Sequence, residues 1–175
     1  PDVDGYTPFM EACRGGHKDV VQLLLDHSEG NIELNARDEN GETAFMVACQ
    51  KGHEDVVQLL INCSKIDLNA TRAQDGSTAF MLVCYHGHKP LVQLFLDHSS
   101  SKNIDLNMQD NDGMTAIMDA CQNGDKDVVQ LLLSCPEIEL NKTDKDGKTA
   151  FHLALLHEHM DIVELFCDLD ESESE

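Results

Sequence analysis

The sequence has few basic residues. Only 12 of its 175 residues are Lys or Arg, against 33 Asp and Glu, so the formal net charge is −21. A polyanion of this strength is repelled by DNA, RNA and anionic membrane surfaces. We therefore predict that the protein does not bind nucleic acid.

The sequence also lacks long apolar runs. Segments such as residues 20–25 are short and interrupted by polar residues, whereas a membrane-spanning helix needs about 18 apolar residues or more. Residues 1–5 contain neither the basic nor the apolar segment that opens a signal peptide. We predict no membrane insertion.

The cysteines do not suggest a disulfide framework. Their number, seven, is odd, and a chain of this size does not need disulfides to be stable. Cys13, Cys49, Cys84 and Cys121 lie within similar apolar segments, where free cysteine behaves as a small hydrophobic residue. The sequence thus predicts a reduced, intracellular and specifically cytoplasmic protein.

One unit is repeated five times along the chain. A Gly-x-Thr anchor begins at residues 5, 41, 76, 113 and 147, which gives steps of 36, 35, 37 and 34 residues. A fixed period of this size is typical of a stacked repeat array. We place the repeats at about 1–36, 37–71, 72–108, 109–142 and 143–169.

The unit itself predicts a short turn followed by two helices. Asp, Asn and Gly before the anchor favour a hairpin-like finger, and the anchor Thr can cap the first helix with its hydroxyl group. That helix is expected to end at Gly52 and at equivalent glycines in left-handed conformation. Neither helix is long enough to be stable alone, so the units must bury their apolar faces on one another.

These residues resemble the ankyrin repeat. The second unit matches the family pattern at Asp38, Gly41, Thr43, Ala48, Gly52, His53, Val56, Val57, Leu59 and Leu60. The resemblance implies an all-α solenoid of helix–turn–helix units with short finger loops, covering residues 1–169. It is incomplete at the Leu-His pair of the pattern, which is Phe45-Met46 here and keeps its histidine only in the last unit.

The two ends of the array depart from a capped domain. The first unit carries a full apolar stripe on its second helix, without a polar helix before it, so we expect an uncovered face and a fragment of a longer array. Residues 170–175 form an acidic tail that we expect to be disordered.

Three glycosylation sequons occur, at Asn62, Asn69 and Asn141. Asn69 and Asn141 end a repeated Ile-Asp/Glu-Leu-Asn turn, where the side chain is expected to bond to the backbone. We therefore interpret the matches as coincidental.

The resemblance also implies a binding surface, because partners of such proteins bind the concave side formed by the finger tips and the first helices. The implied partner-binding residues are Tyr6, Arg14, Arg37, Glu39, Glu42, Lys51, Arg72, Ser77, Tyr85, His86, Met114, Asn123 and Lys148. Among them Arg14, Arg37, Arg72 and Tyr85 are the candidate anchors, since Arg and Tyr are frequent among interface hot spots. Charge reversal at Arg37 and Arg72 should weaken partner binding with little effect on thermal stability. The simpler alternative is that all these residues are ordinary solvated surface.

No catalytic, metal or cofactor site is predicted. His27, Cys63, His98 and Cys135 recur in one slot, but neighbouring helices lie about 8–10 Å apart and zinc bonds are about 2.0–2.3 Å long. No phosphate-binding loop, nucleophile elbow or His-Glu-x-x-His motif is present. The sequence predicts a monomeric, non-catalytic scaffold for a protein partner. One alternative is a regulatory or targeting segment of a larger enzyme or channel, and another is an enzyme in its own right.

Overall fold

The computed structural model describes residues 5–27 and 32–172, with side chains up to residue 169. Within these ranges the chain forms ten helices, numbered here in chain order. Their bounds are α1 Pro8–Arg14, α2 Lys18–His27, α3 Ala44–Lys51, α4 Glu54–Ile61, α5 Ala79–Tyr85, α6 Lys89–Lys102, α7 Ala116–Asn123, α8 Lys126–Leu133, α9 Ala150–Leu156 and α10 Met160–Ser172.

The helices form two rows. The first helices of the repeats, α1, α3, α5, α7 and α9, pack against one another in sequence order, and the second helices α2, α4, α6, α8 and α10 form a parallel row. Each first helix also packs on the second helix of its own repeat. The core lies between the rows, and the predicted all-helical solenoid is confirmed.

The cysteine column lies in this core. Cys13, Cys49, Cys84 and Cys121 are all inaccessible to solvent, and all seven cysteines of the chain are free. Burial raises the pKa of the Cys13 and Cys121 thiols to about 12. Thiols that stay protonated are poor nucleophiles, so the column acts as packing.

Threonine caps begin the first helices, as predicted. Thr43 Oγ1 accepts a hydrogen bond from the backbone N–H of Met46 at 3.3 Å, and Thr7, Thr78 and Thr149 cap their helices in the same way. Thr115 is the exception, since its buried hydroxyl finds no partner in the part of the chain that the structure describes.

The first helices end in left-handed backbone, again as predicted. Gly52 has a φ of 72°, a conformation that glycine adopts without steric penalty. In the last repeat Glu158 takes this position with a φ of 60°, which costs energy for a residue with a side chain.

The second, fourth and fifth fingers are hairpin-like turns, and each is stabilised by an aspartate at its first position. Asp38 Oδ1 accepts hydrogen bonds from the backbone N–H groups of Asn40 and Glu42 at 2.9 and 2.8 Å. Asp110 and Asp144 make the same pair of contacts in the fourth and fifth fingers. A carboxylate that binds two backbone donors stabilises the tight turn locally.

The third finger is one residue longer than the second, fourth and fifth fingers. Its closing hydrogen bond joins the N–H of Arg72 to the carbonyl of Ser77, whereas the second finger joins Asp38 to Glu42. Arg72 therefore occupies the place of Asp38, and the residue equivalent to Arg37 is Thr71. Arg37 and Arg72 therefore do not occupy equivalent positions, although each lies four residues before the glycine of its finger.

Asparagine side chains connect neighbouring repeats. Asn69 Nδ2 donates to the carbonyl of Asn103 at 2.8 Å, and its Oδ1 accepts from the N–H of Asp105 at 2.9 Å. Asn35 and Asn107 bridge to the next repeat in the same manner. The expectation that the Asn69 sequon serves the backbone is thereby confirmed.

The ends differ from the middle of the array. Val20 and Leu23 on α2 are 47% and 57% exposed, whereas Val56, which is equivalent to Val20, is fully buried. This confirms the expected uncovered face of the first repeat. At the other end α10 continues to Ser172, and the disordered acidic tail over 170–175 stays a prediction. Residues 173–175 lie outside the described ranges.

Candidate functional site

The thirteen predicted residues differ widely in exposure. Seven are exposed: Arg14, Arg37, Glu39, Lys51, Tyr85, His86 and Asn123. Four are partly buried: Tyr6, Arg72, Met114 and Lys148. The remaining two, Glu42 and Ser77, are only 8% and 9% exposed, which contradicts their assignment to exposed positions.

The burial of Glu42 and Ser77 has a common cause in Arg72. The Arg72 guanidinium group donates to Glu42 Oε1 at 2.9 Å and makes a two-pronged contact with the carboxylate of Asp75. Ser77 closes the same finger through the backbone. These three residues stabilise the third finger and its contact with the second.

The Asp75 carboxylate responds strongly to this contact. The hydrogen bond from Arg72 lowers the pKa of Asp75 from 3.8 to about 2, against the opposing effect of burial, and the N–H of Ser77 adds to the lowering. Asp75 therefore stabilises the folded chain at neutral pH, and this contribution is lost as the pH falls from about 4 to 2.

Arg37 also has a structural role. Its Nη1 donates to the carbonyl of Gly41 at 2.8 Å and to the carbonyl of Thr71 in the next finger. Gln109 makes the equivalent pair of contacts with Gly113 and Thr143. Charge reversal at Arg37 or Arg72 would break contacts between fingers, contrary to the expectation that stability would hardly change.

The other two candidate anchors are Arg14 and Tyr85, which are both exposed. Arg14 lies over the ring of Tyr6, 5.4 Å from its centroid, and pairs loosely with Glu11 at 3.6 Å. Tyr85 is 55% exposed, and its ring meets that of His86 edge to face with centroids 5.2 Å apart. Asn123 Nδ2 donates to the backbone carbonyl of Tyr85 at 3.0 Å. This bond fixes the end of α5 on which Tyr85 stands.

A pocket opens beside Tyr85 on the concave surface. It has a volume of about 360 Å³ and lies between the third finger, α5 and α7. This Tyr85 pocket is lined by Gln50, Arg72, Asp75, Ser77, Met81, Leu82, Tyr85, His86, Asp110 and Asp119. A larger hollow of about 920 Å³ lies near the end of the array beside Phe151 and Phe166, away from the fingers and first helices of the middle repeats.

Asp119 is one of the pocket residues that were not predicted from the sequence. It is partly buried on α7, at the position that Val47, Leu82 and Leu153 occupy in other repeats. Burial, together with the smaller effect of the negative charges of Asp110 and Asp75, raises the pKa of Asp119 from 3.8 to about 7. The equivalent position is apolar in three of the other four repeats and is Glu11 in the first, so a carboxylate there was the signal that could have identified Asp119.

The pKa of His86 shifts in the opposite direction, which for an imidazole also favours the neutral form. Burial lowers the pKa of its imidazole below 6.5, and the positive charges of His88, Lys51 and Arg72 add to this effect. The imidazole is therefore mostly neutral at pH 7, so the rim of the pocket carries no fixed positive charge from His86.

Two stacked rows of short helices joined by glycine-ended turns and aspartate-closed fingers define a helical repeat protein. The family model for ankyrin repeats matches the chain in three copies, over residues 1–72, 66–144 and 102–173. The chain therefore belongs to the ankyrin repeat family, whose members generally act as protein–protein interaction modules. Comparison with curated protein sequences finds no match.

Two further properties bear on the site. In the described part of the chain no helix has both the length and the apolar character needed to cross a membrane. Over the same ranges no three His, Cys, Asp or Glu side chains are placed to hold a metal ion together.

Proposed function

We propose that this protein is a non-catalytic scaffold that binds a protein partner through its concave surface. The observation that carries the proposal is the Tyr85 pocket, a hollow that combines an exposed aromatic ring, an apolar floor and charged walls. Such mixed lining is characteristic of recognition sites, and exposed tyrosine is frequent among interface hot spots.

Several residues near the pocket are free to contribute contacts. Lys51 is exposed at the end of α3 and close enough for its charge to affect the titration of His86. Tyr85 follows on the next first helix, and Asn123 on the one after it. A partner lying along the first helices would therefore meet side chains from three successive repeats.

Partner capture with two matched variants tests the proposal. The concave variant carries Lys51→Ala and Tyr85→Ala, and the control variant carries Gln58→Ala and Gln130→Ala on exposed positions of the second helices. Because all four side chains are exposed, the folded array should tolerate both pairs of substitutions, each within about 0.5 kcal/mol per site. Circular dichroism and thermal unfolding verify this before capture.

We expect proteins captured from a cell lysate by the wild type and by the control variant to be lost from the concave variant. If the same proteins stay bound to the concave variant and are lost from the control, the partner binds the second helices and the proposal is wrong. Turnover of a substrate by the purified chain would contradict the non-catalytic part. The free cysteines support a reducing, cytoplasmic location for this function.

A further inference from the structure

Resting on the proposed function, we propose that the Tyr85 pocket receives a basic side chain of the partner, with Asp119 as its counter-charge. The inference combines four features of the pocket: its size, its apolar floor, the exposed tyrosine at its rim and an acidic group that has no partner within the described chain.

The size suits one side chain. A volume of about 360 Å³ lies near the lower end of the range of about 300–1,000 Å³ that holds small ligands. A partner helix, about 10 Å across, would not enter it. The pocket would instead take a single long side chain projecting from a partner that lies across the fingers.

The floor suits an aliphatic stem. Met81 and Leu82 line the pocket from α5 and are 2% and 4% exposed. Arg and Lys side chains place their methylene groups on apolar surface while the charged end reaches polar groups. A side chain with a long stem and a charged tip therefore matches a pocket that is apolar below and acidic on one wall.

The rim suits a cation. Tyr85 lines the pocket and is exposed, and the hydrogen bond from Asn123 to its backbone carbonyl positions this end of α5. Aromatic faces attract guanidinium and ammonium groups through the ring quadrupole. Since the neighbouring imidazole of His86 is mostly neutral at pH 7, it does not repel an incoming positive charge.

Of the three acids that line the pocket, Asp119 is the one whose carboxylate has no hydrogen-bond donor or cation as a partner among the described residues. The pocket contains Asp75, Asp110 and Asp119 and one permanent cation, Arg72. Arg72 is held by Glu42 and Asp75, and Asp110 binds the backbone of its own finger. The carboxylate of Asp119, unlike its backbone N–H, makes no hydrogen bond or ion pair with any described residue.

An entering cation would therefore supply the interaction that Asp119 lacks. A charge-assisted hydrogen bond in a partly buried site is stronger than one at the open surface. The raised pKa of Asp119 is consistent with this vacancy, because burial and two like charges disfavour the carboxylate until a positive charge compensates them.

Other occupants fit less well. An acidic side chain would be repelled by the carboxylates of the lining, and an apolar side chain would cover Asp119 without offering it a partner. A metal ion lacks a set of three ligands in the described ranges. The chemistry of the pocket thus favours arginine or lysine.

Binding of short peptide probes tests the inference on the whole chain. Acetylated, amidated pentapeptides with Arg, Lys or citrulline between pairs of glycines are titrated into the labelled protein in 0.15 M salt, and NMR signals of Met81, Leu82 and Tyr85 are followed. Citrulline keeps the shape of arginine but is neutral. We expect saturable shifts at these three residues with the Arg or Lys peptide, and affinity for the citrulline peptide at least about tenfold weaker.

Two variants test whether Asp119 is the residue that binds the basic peptide. Asp119→Asn should weaken binding of the basic peptide at least about tenfold, whereas Asp97→Asn, an exposed acid on the second helix α6, should leave it unchanged. Because Asp119→Asn removes an unfavourable buried charge, lost binding together with retained stability cannot be attributed to unfolding.

Equal binding of the citrulline peptide would overturn the inference, as would unchanged affinity in Asp119→Asn. So would shifts spread over the acidic surface and reduced equally by both variants, since they would indicate general attraction to the polyanion. In any of these cases the concave surface could still pass the capture experiment, so the proposed function would stand without this ligand.

Discussion

Ionisation of Asp119 should destabilise the folded protein. In the folded chain the pKa of this carboxyl is about 7, against 3.8 for a free side chain. The folded state therefore holds its proton more tightly than the unfolded state does. Between about pH 4 and pH 7 unfolding releases a proton, so stability falls as the pH rises through this window and is level above it.

The magnitude follows from the size of the shift. Each pKa unit corresponds to about 1.4 kcal/mol, so the change from 3.8 to about 7 sets an upper limit of about 4 kcal/mol at high pH. Between pH 5 and pH 8 the ionisation costs about 2–3 kcal/mol. Asp119→Asn removes the titration and keeps the shape, so its advantage over the wild type should grow by that amount across the same interval.

Asp119→Leu should stabilise the protein further. Leucine occupies the equivalent positions 82 and 153, both only 4% exposed, so the slot accepts this side chain. Burying it adds about 1.5–3 kcal/mol of apolar transfer free energy at most. This gain in unfolding free energy should be present at every pH, and it adds to the pH-dependent gain that comes from removing the ionisable carboxyl of Asp119.

Urea unfolding followed by circular dichroism at pH 5, 6, 7 and 8 measures both effects. Comparison with the wild type cancels the titration of histidines and other acids, and Glu164→Gln on the exposed side of α10 serves as the control for loss of one negative charge. A difference between wild type and Asp119→Asn that is the same at pH 5 and pH 8 would refute the reasoning.

Two further predictions concern contacts between repeats. Asn107→Ala should lower the free energy of unfolding by about 1–3 kcal/mol, because two backbone groups of the next repeat lose their partner. Asn141→Ala, at the equivalent position of the last such turn, should lower it by no more than about 0.5 kcal/mol. Equal losses for the two variants in urea unfolding would argue against the asparagine bridges. Arg72→Ala should cost about 2–4 kcal/mol by leaving Glu42 without its cation, and adding Glu42→Gln should recover part of the loss in the same assay. Failure of the second substitution to recover stability would show that the ion pair does not hold the fingers together.

Much of the fold was predictable because it depends on residues that lie close together within each repeat unit. The Thr43 cap and the left-handed Gly52 depend on neighbours only a few residues away along the chain. The buried Cys49 column follows from helical spacing of apolar residues. Contacts of this kind recur in every repeat, so five copies of the pattern support one another.

The site was less predictable. The third finger has one residue more than the second, which puts Thr71 and not Arg72 at the position of Arg37, and this became visible only through the backbone hydrogen bonds. Glu42 looked exposed from its position in the unit, but Arg72 of the next repeat covers it. Asp119 gave only a weak signal in the sequence, because the equivalent position is a buried apolar residue in three repeats and the exposed Glu11 in the first.

The sequence by itself determined the helical class, the period and the ankyrin repeat family, because these depend on local patterns that each unit repeats. The tertiary structure decided which side chains are free to bind. Arg37 and Arg72 serve the fingers, whereas Tyr85 and Asp119 meet at one pocket from successive first helices. The physical reason is that exposure and pairing are set by stacking between repeats, which brings together residues some 34–37 positions apart in the chain.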